Sequence, residues 1–189
     1  YAYLYGYKTM QNPEKISINV MVTPGIDLYN NNELSQEVIT IVEEKRLDSI
    51  YVATMPDMNL YNNSNPADTT LWLYPNDIVD QMRNLNLDSN YTATYYPWIL
   101  VRDSVNNTQV YLPPTGEVCR NLALTDNIAF PWFASAGYTR GLVNSIKARQ
   151  KLTQTDRDTL YQGRINPIAT FSDVGTVIWG NKTLQVADT

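Results

Sequence analysis

Residues 16–55 run through three hydrophobic patterns in succession, and few architectures accept that order. Ile16, Ile18, Val20 and Val22 alternate along ISINVMVT, with Met21 adding apolar surface to the other side. This period of two predicts a mostly buried strand, ended by Pro24-Gly25. Leu34, Val38, Ile41 and Val42 then recur at helical spacing, with Glu37, Glu43, Glu44 and Lys45 on the opposite side, which predicts a helix over 33–47. SIYVATM, 49–55, predicts a second strand. A strand, helix and strand with short joints form a βαβ unit, hence a parallel strand pair with a right-handed crossover.

The rest of the chain extends that alternation. Residues 56–75, rich in Asn, Pro and Asp, predict an exposed loop or hairpin insertion. Ile78, Val79, Met82 and Leu85 predict a helix over 76–87. YTATYYPWILVRD, 91–103, predicts a third strand interrupted or edged by Pro97, and Asn106-Asn107 a hairpin turn into a strand at 109–112. Pro113-Pro114 precede a helix over 116–124 with Val118, Cys119, Leu122 and Ala123 on its apolar side. After an irregular aromatic stretch at 128–140, helices are expected near 141–151 and 154–162, the latter with Asp156 and Asp158 in its first turn. NPIATF and GTVIWG predict two final strands. At the start, Tyr1, Tyr3, Tyr5 and Tyr7 fit either a strand end or a short helical turn stopping before Pro13. The expected fold is α/β: a mostly parallel or mixed central sheet with helices on both faces.

Composition narrows the function. The 189 residues contain no histidine and one cysteine, Cys119. A Ser-His-Asp or Cys-His hydrolase and a Cys/His zinc site therefore cannot be built from them. A formal charge of −5 opposes binding to nucleic acid or an anionic membrane surface, and aliphatic runs of only a few residues fall far short of the roughly 20 that a membrane span needs, so neither a nucleic-acid partner nor membrane insertion is expected. The abundance of Asn and the 14 tyrosines suit turns and wide contact surfaces. With no initiator Met and no signal layout at its start, the chain is expected to be a portion of a longer protein.

Candidate chemical motifs are weak. Pro24-Gly25-Ile26-Asp27 is not a glycine-rich phosphate loop, and neither GxGxxG nor GxxxxGK[ST] occurs. Asp57, Asn59, Asn63, Asn65 and Asp68 lack the glycine and closing glutamate of a calcium loop. Ser135 in FASAG has no partner base, and Cys119 is read as an inert thiol. Asp156/Asp158 and Glu43/Glu44 read as solvated faces. No catalytic, cofactor or metal residue is assigned, and no cofactor is expected. The aromatics Tyr95, Tyr96, Trp98, Tyr111, Phe130, Trp132, Phe133 and Tyr138 are assigned to core and subunit-contact roles.

The C-terminal half carries a resemblance. Tyr96-Pro97-Trp98, Pro113-Pro114 with Gly116, Asp126, Pro131-Trp132, Ala136-Gly137-Tyr138 with Arg140-Gly141, Arg157-Asp158 with Leu160-Tyr161, Ile165-Asn166-Pro167-Ile168, and Trp179-Gly180-Asn181-Lys182-Thr183 occur in an order that resembles contractile tail sheath proteins of large phages. NPEKISINVMVTPGI is similar to that family's first core strand, and the similarity spans about 7–189, weakest across 56–75. Two places depart from the pattern. Ser135-Ala136-Gly137 stands where many members have Pro-Ala-Gly, and Cys119-Arg120-Asn121 where small residues are usual.

The resemblance implies a structural subunit without protease activity, on a core called subtilisin-like by shape. Such subunits stack as hexameric rings around a tail tube, join neighbours through exchanged terminal arms, and contract to drive the tube through the host envelope. It further implies a virion protein assembled in the host cytoplasm, with 1–189 as a single core domain. The tube-facing region and the swapped arms would lie beyond both ends, leaving this portion monomeric alone. Alternatives are a sheath of a non-phage contractile injection system, a carboxylate-based hydrolase with two facing carboxylates in a deep pocket, and a ligand-binding α/β module with a phosphate site near Gly25.

Overall fold

The computed structural model describes residues 2–57, 74–130 and 132–186. Its elements in chain order are α1 (Ala2–Thr9), β1 (Val20–Asp27), α2 (Asn32–Thr40), β2 (Ile50–Thr54), α3 (Pro75–Asn84), β3 (Thr92–Tyr96), β4 (Ile99–Asp103), β5 (Thr108–Leu112), α4 (Thr115–Ile128), α5 (Gly137–Arg140), β6 (Lys147–Ala148), α6 (Gln154–Gln162), β7 (Asn166–Phe171) and β8 (Gly175–Ile178). The main sheet has the order β1-β2-β3-β7-β8. Its first four strands are parallel and β8 pairs antiparallel with β7, so the sheet is mixed, as expected. A second sheet, β5-β4-β6, is antiparallel.

The side-chain alternation of β2 divides the interior in two. Tyr51 and Ala53 face one core with Val38 and Ile39 of α2, Ile78, Val79 and Met82 of α3 and Leu160 of α6. Val52 faces the other with Ala93, Tyr95, Val118 of α4, Ile168 and Ile178. Helices therefore cover both faces, and each buried Leu, Ile or Val contributes roughly 1.5–3 kcal/mol of transfer free energy.

Several expectations change. Of the two readings left open at the start, the helical one holds: Tyr3, Tyr5 and Tyr7 lie on α1, in which no residue is buried, and the Tyr7 hydroxyl donates to the Val22 carbonyl at 2.6 Å. β1 starts later than predicted and runs through Pro24-Gly25, with a register shift between Val22 and Asp27. It is an edge strand, where proline interrupts no ladder on its outer side. The 33–47 helix becomes π-helical over Ile41–Arg46 and ends at Leu47 in a left-handed conformation. The single strand expected at 91–103 is two strands in two different sheets, joined through a cis Tyr96–Pro97 peptide.

The C-terminal half shows both corrections and matches. α4 is longer than expected, and Ala123 faces solvent instead of the core. The helix expected near 141–151 does not form; the segment is extended and supplies β6. By contrast α6 matches, with Thr153 accepting from the Asp156 amide and the Asp156 carboxylate accepting from the Thr153 amide. That reciprocal cap fixes the helix start. The predicted strand pairs around Asn106-Asn107 and in NPIATF–GTVIWG are also present. The insertion expected at 56–75 falls mostly outside the described residues.

Candidate functional site

Most of the singled-out residues converge on the β7–β8 end of the main sheet. Asn166 is fully buried at the start of β7. Its side-chain amide donates to the Thr94 carbonyl at 3.0 Å and the Lys182 carbonyl at 2.8 Å, and its Oδ1 accepts from the Lys182 amide at 2.7 Å. One side chain thus satisfies three backbone groups. The buried Pro167 offers its carbonyl to the Trp179 amide at 2.8 Å. Gly180 lies so close that a Cβ there would stand 2.8 Å from Asn166 Oδ1. Thr183 is half-buried beside Leu184, whose side chain is buried and whose amide donates to the Thr92 carbonyl at 2.9 Å. Residues 180–186 are therefore tied back along the entry to β3.

A second group fixes the approach to β8. Pro113 and the buried Pro114 lead into α4, Gly116 is exposed in its first turn, and Asp126 is exposed in its last. From α4, Glu117 Oε2 accepts from Arg120 Nε and the Asn144 amide, both at 2.9 Å, and Asn121 donates to the Leu142 carbonyl at 3.1 Å. These bonds hold 141–146 extended against the helix. Gly141 sits where that segment crosses β8, its carbonyl accepting from the Ile178 amide at 2.7 Å. Pro97 is buried, and Trp98 lies apart from this end, donating from its indole to the Met55 carbonyl at 2.9 Å.

The exposed face here is aromatic. Phe130 and Trp132 stack with ring centroids 4.7 Å apart, Phe133 meets Phe130 edge-on at 5.7 Å, and Trp132 is 75% exposed. Pro131 lies outside the described residues. Arg140 bridges back to the loop, its Nε donating to the Ala134 carbonyl at 2.9 Å and its guanidinium lying 4.9 Å from the Phe133 ring centre. Ala136 and Gly137 open α5, which presents Tyr138 to a second group: Tyr138, Phe171 and Trp179 lie pairwise 4.9–5.3 Å apart. Arg157 stands over Phe171 at 5.3 Å and Lys182 over Tyr161 at 3.8 Å. The result is a strip of exposed rings interleaved with cations. Sequence reasoning found most of its aromatics but missed the pairings of Arg157 with Phe171 and of Lys182 with Tyr161, because each pair comes together only through tertiary folding.

Chemistry of other kinds finds little support. Asp27 accepts from the Tyr29 and Asn30 amides and from the Asn30 side chain, so these donors of the first βα turn are already occupied. Ser135 is buried, and burial pushes the half-buried Cys119 thiol above its ordinary pKa, which keeps it protonated at neutral pH. Among the described residues no group of three His, Cys, Asp or Glu side chains could hold a metal ion, and no helix is long and apolar enough to cross a membrane. Of the loop Asp57–Asp68, Asn59, Asn63, Asn65 and Asp68 fall outside the described residues. Asp57 pairs with Arg149 at 3.1 Å, and Arg149 in turn lies 4.2 Å from the Tyr111 ring centre.

The chain is similar to known tail sheath proteins. It is 25% identical to the tail sheath protein of Vibrio phage KVP40 over an alignment covering 96% of this chain and 28% of that protein. It is 35% identical to the tail sheath protein of Enterobacteria phage T4 across 53% of this chain and 15% of that one. The chain thus spans about a quarter or less of the length of these relatives. Its fold is similar to the contracted sheath of an extracellular contractile injection system, with a TM-score of 0.69 at 22% identity, covering 96% of this chain and 45% of that one. It is likewise similar to the contracted helical sheath of the anti-feeding prophage, with a TM-score of 0.61 at 20% identity, covering 93% and 42%. A match running from residue 4 to residue 184 places the chain in the phage tail sheath protein central domain family.

Proposed function

We propose that this chain is the core domain of a contractile tail sheath subunit, a non-catalytic structural part of a longer protein. Such subunits would stack as hexameric rings around a tail tube and contract to drive it through the host envelope, after assembly in the host cytoplasm and as part of the virion tail. The observation that carries this reading is family membership across 4–184, joined to a strip of rings and cations at the β7–β8 end. A subunit that repacks against neighbours is served by a mixed polar and aromatic surface. On this reading Asn166, Pro167, Gly141 and Gly180 brace the β7–β8 end, Pro113, Pro114, Gly116 and Asp126 set α4, and Trp132, Arg140 and Trp179 face neighbouring subunits. The subtilisin-like description of the core belongs to the same proposal.

A second reading, the sheath of a non-phage injection particle, is favoured by the fold similarity to the extracellular contractile injection system. It has the same mechanism, and the genes flanking the coding sequence separate the two. Negative-stain microscopy of the protein with its native flanking sequence tests the common proposal. Hollow striated tubes of uniform width are expected; discrete monodisperse particles at high concentration would overturn it.

A further inference from the structure

The two ends of the main sheet carry surfaces of matched chemistry. At the β8 end, Arg140, Arg157 and Lys182 are each held over an aromatic ring, and among the described residues none of them forms an ion pair. Unneutralised cations grouped on a chain with 19 acidic and 14 basic residues are a local exception to its overall charge. At the β1 end, α1 and α2 enclose a groove of about 740 Å³. Leu4, Ile26 and Leu34 give its lining apolar area beside the polar Asn31, Gln36 and Thr40, and Glu33 and Glu37 of α2 line it one turn apart. Glu37 faces Lys8 at 3.4 Å, but both side chains are about half exposed, and such a surface pair is easily displaced. A cation seated on a ring presents charge and apolar area together. A groove lined by carboxylates and apolar side chains offers the counterpart of each.

We infer that the aromatic–cation strip of one copy docks into the α1–α2 groove of a second copy. The occupant is assigned by charge complementarity and by the sheet order, β1-β2-β3-β7-β8, which sets the two surfaces at opposite ends of one rigid sheet. Unlike surfaces at opposite ends cannot pair reciprocally about a two-fold axis. The contact is heterologous and repeats from copy to copy, as a ring or helical array requires. The inference rests on the sheath reading for its biological setting but specifies the surfaces independently.

The test uses the full-length protein. Arg140→Glu with Lys182→Glu reverses the strip, and Glu33→Lys with Glu37→Lys reverses the groove. Each pair alone is expected to raise the critical concentration for assembly by about tenfold or more, because like charges then face each other. Mixing the two variants in equal amounts, or combining all four changes in one chain, restores complementarity and is expected to recover assembly. That recovery also shows that the variants fold. Unchanged assembly in the paired variants, or loss in both without recovery on mixing, overturns the inference. A second readout does not need tubes: a photo-reactive benzophenone side chain at position 138 is expected to cross-link to residues 33–40 of another copy. If the wild type forms no tubes but this cross-link appears, the sheath reading fails and the docking stands; if the cross-link is absent from assembled or concentrated protein, the docking is wrong.

Discussion

Two glycines that look alike in the sequence have opposite roles. A Cβ on Gly141 would lie 2.6 Å from the Ile178 carbonyl oxygen and 2.7 and 2.8 Å from the backbone N and O of Gly137. All three neighbours are main chain, so none can swing aside. Gly141→Ala is expected to destabilise the fold by about 3 kcal/mol, by parting the 141–146 segment from β8. Gly116, in the first turn of α4, has nothing within 4 Å of a Cβ. There, alanine only removes the backbone freedom that the unfolded glycine enjoys, and Gly116→Ala is expected to stabilise by roughly 0.5–1 kcal/mol. Thermal denaturation of the two variants checks both signs. If Gly116→Ala lowers the melting temperature instead, the first turn of α4 does not accept a Cβ at 116.

At the scale of elements, the N-terminal helix depends on one arginine. Arg46 ends the π-helical turn with its side chain fully buried. Its guanidinium donates to the carbonyls of Met10 at 2.6 Å and Ile16 at 2.9 Å, and to Asp48 and Ser49 at 2.8–3.0 Å. α1 has no buried residue of its own; this fan of bonds and the Tyr7 hydroxyl anchor it together with Tyr7 and Met10, which pack half-buried against the first core. Arg46→Met keeps the stem and removes the donors; it is expected to cost about 3 kcal/mol. Amide exchange should quicken across 2–18 while β2 and β3 stay protected, and uniform quickening everywhere would mean that Arg46 supports the whole core instead. None of this was readable in EEKRLD, where Arg46 looks like one more surface charge. The βαβ unit and α6 were readable because their patterns are local: alternation, an apolar stripe, and a Thr–Asp cap. Residues 141–151 misled because Leu142, Val143 and Ile146 approximate helical spacing. The segment is extended because Glu117 and Asn121, more than twenty positions away, take up its backbone groups. The aromatic strip was half readable for the same reason: ring density is a property of composition, whereas the seating of Arg157 and Lys182 on rings depends on distant elements.

At the scale of the molecule, the buried tyrosines report on both cores at once. Tyr51 and Tyr96 belong to the core under α2, α3 and α6, and Tyr95 to the core under α4. Burial pushes all three phenols above their ordinary pKa; the neighbouring Asp57 carboxylate adds to the shift at Tyr96, and Cys119 adds at Tyr95. The unfolded chain releases these protons near pH 10, whereas the folded chain retains them to higher pH. Below about pH 10 both states bind the same protons and these groups leave stability unchanged. Above it the unfolded state holds fewer protons, so stability falls as pH rises toward the folded values. Alkaline titration should therefore show the phenolate absorbance of these tyrosines emerging in one step, together with loss of the circular-dichroism signal. Tyr96→Phe, which gives up only a 3.3 Å bond to Gln150, should move that step to higher pH and shrink its amplitude. The shared central sheet is what makes a single step the expectation: β2 and β3 each send residues to both cores, so neither core can open while the other keeps its strands. Two separated steps, one reporting Tyr95 and the other Tyr51 and Tyr96, would show that the layers melt independently and that the sheet does not couple them.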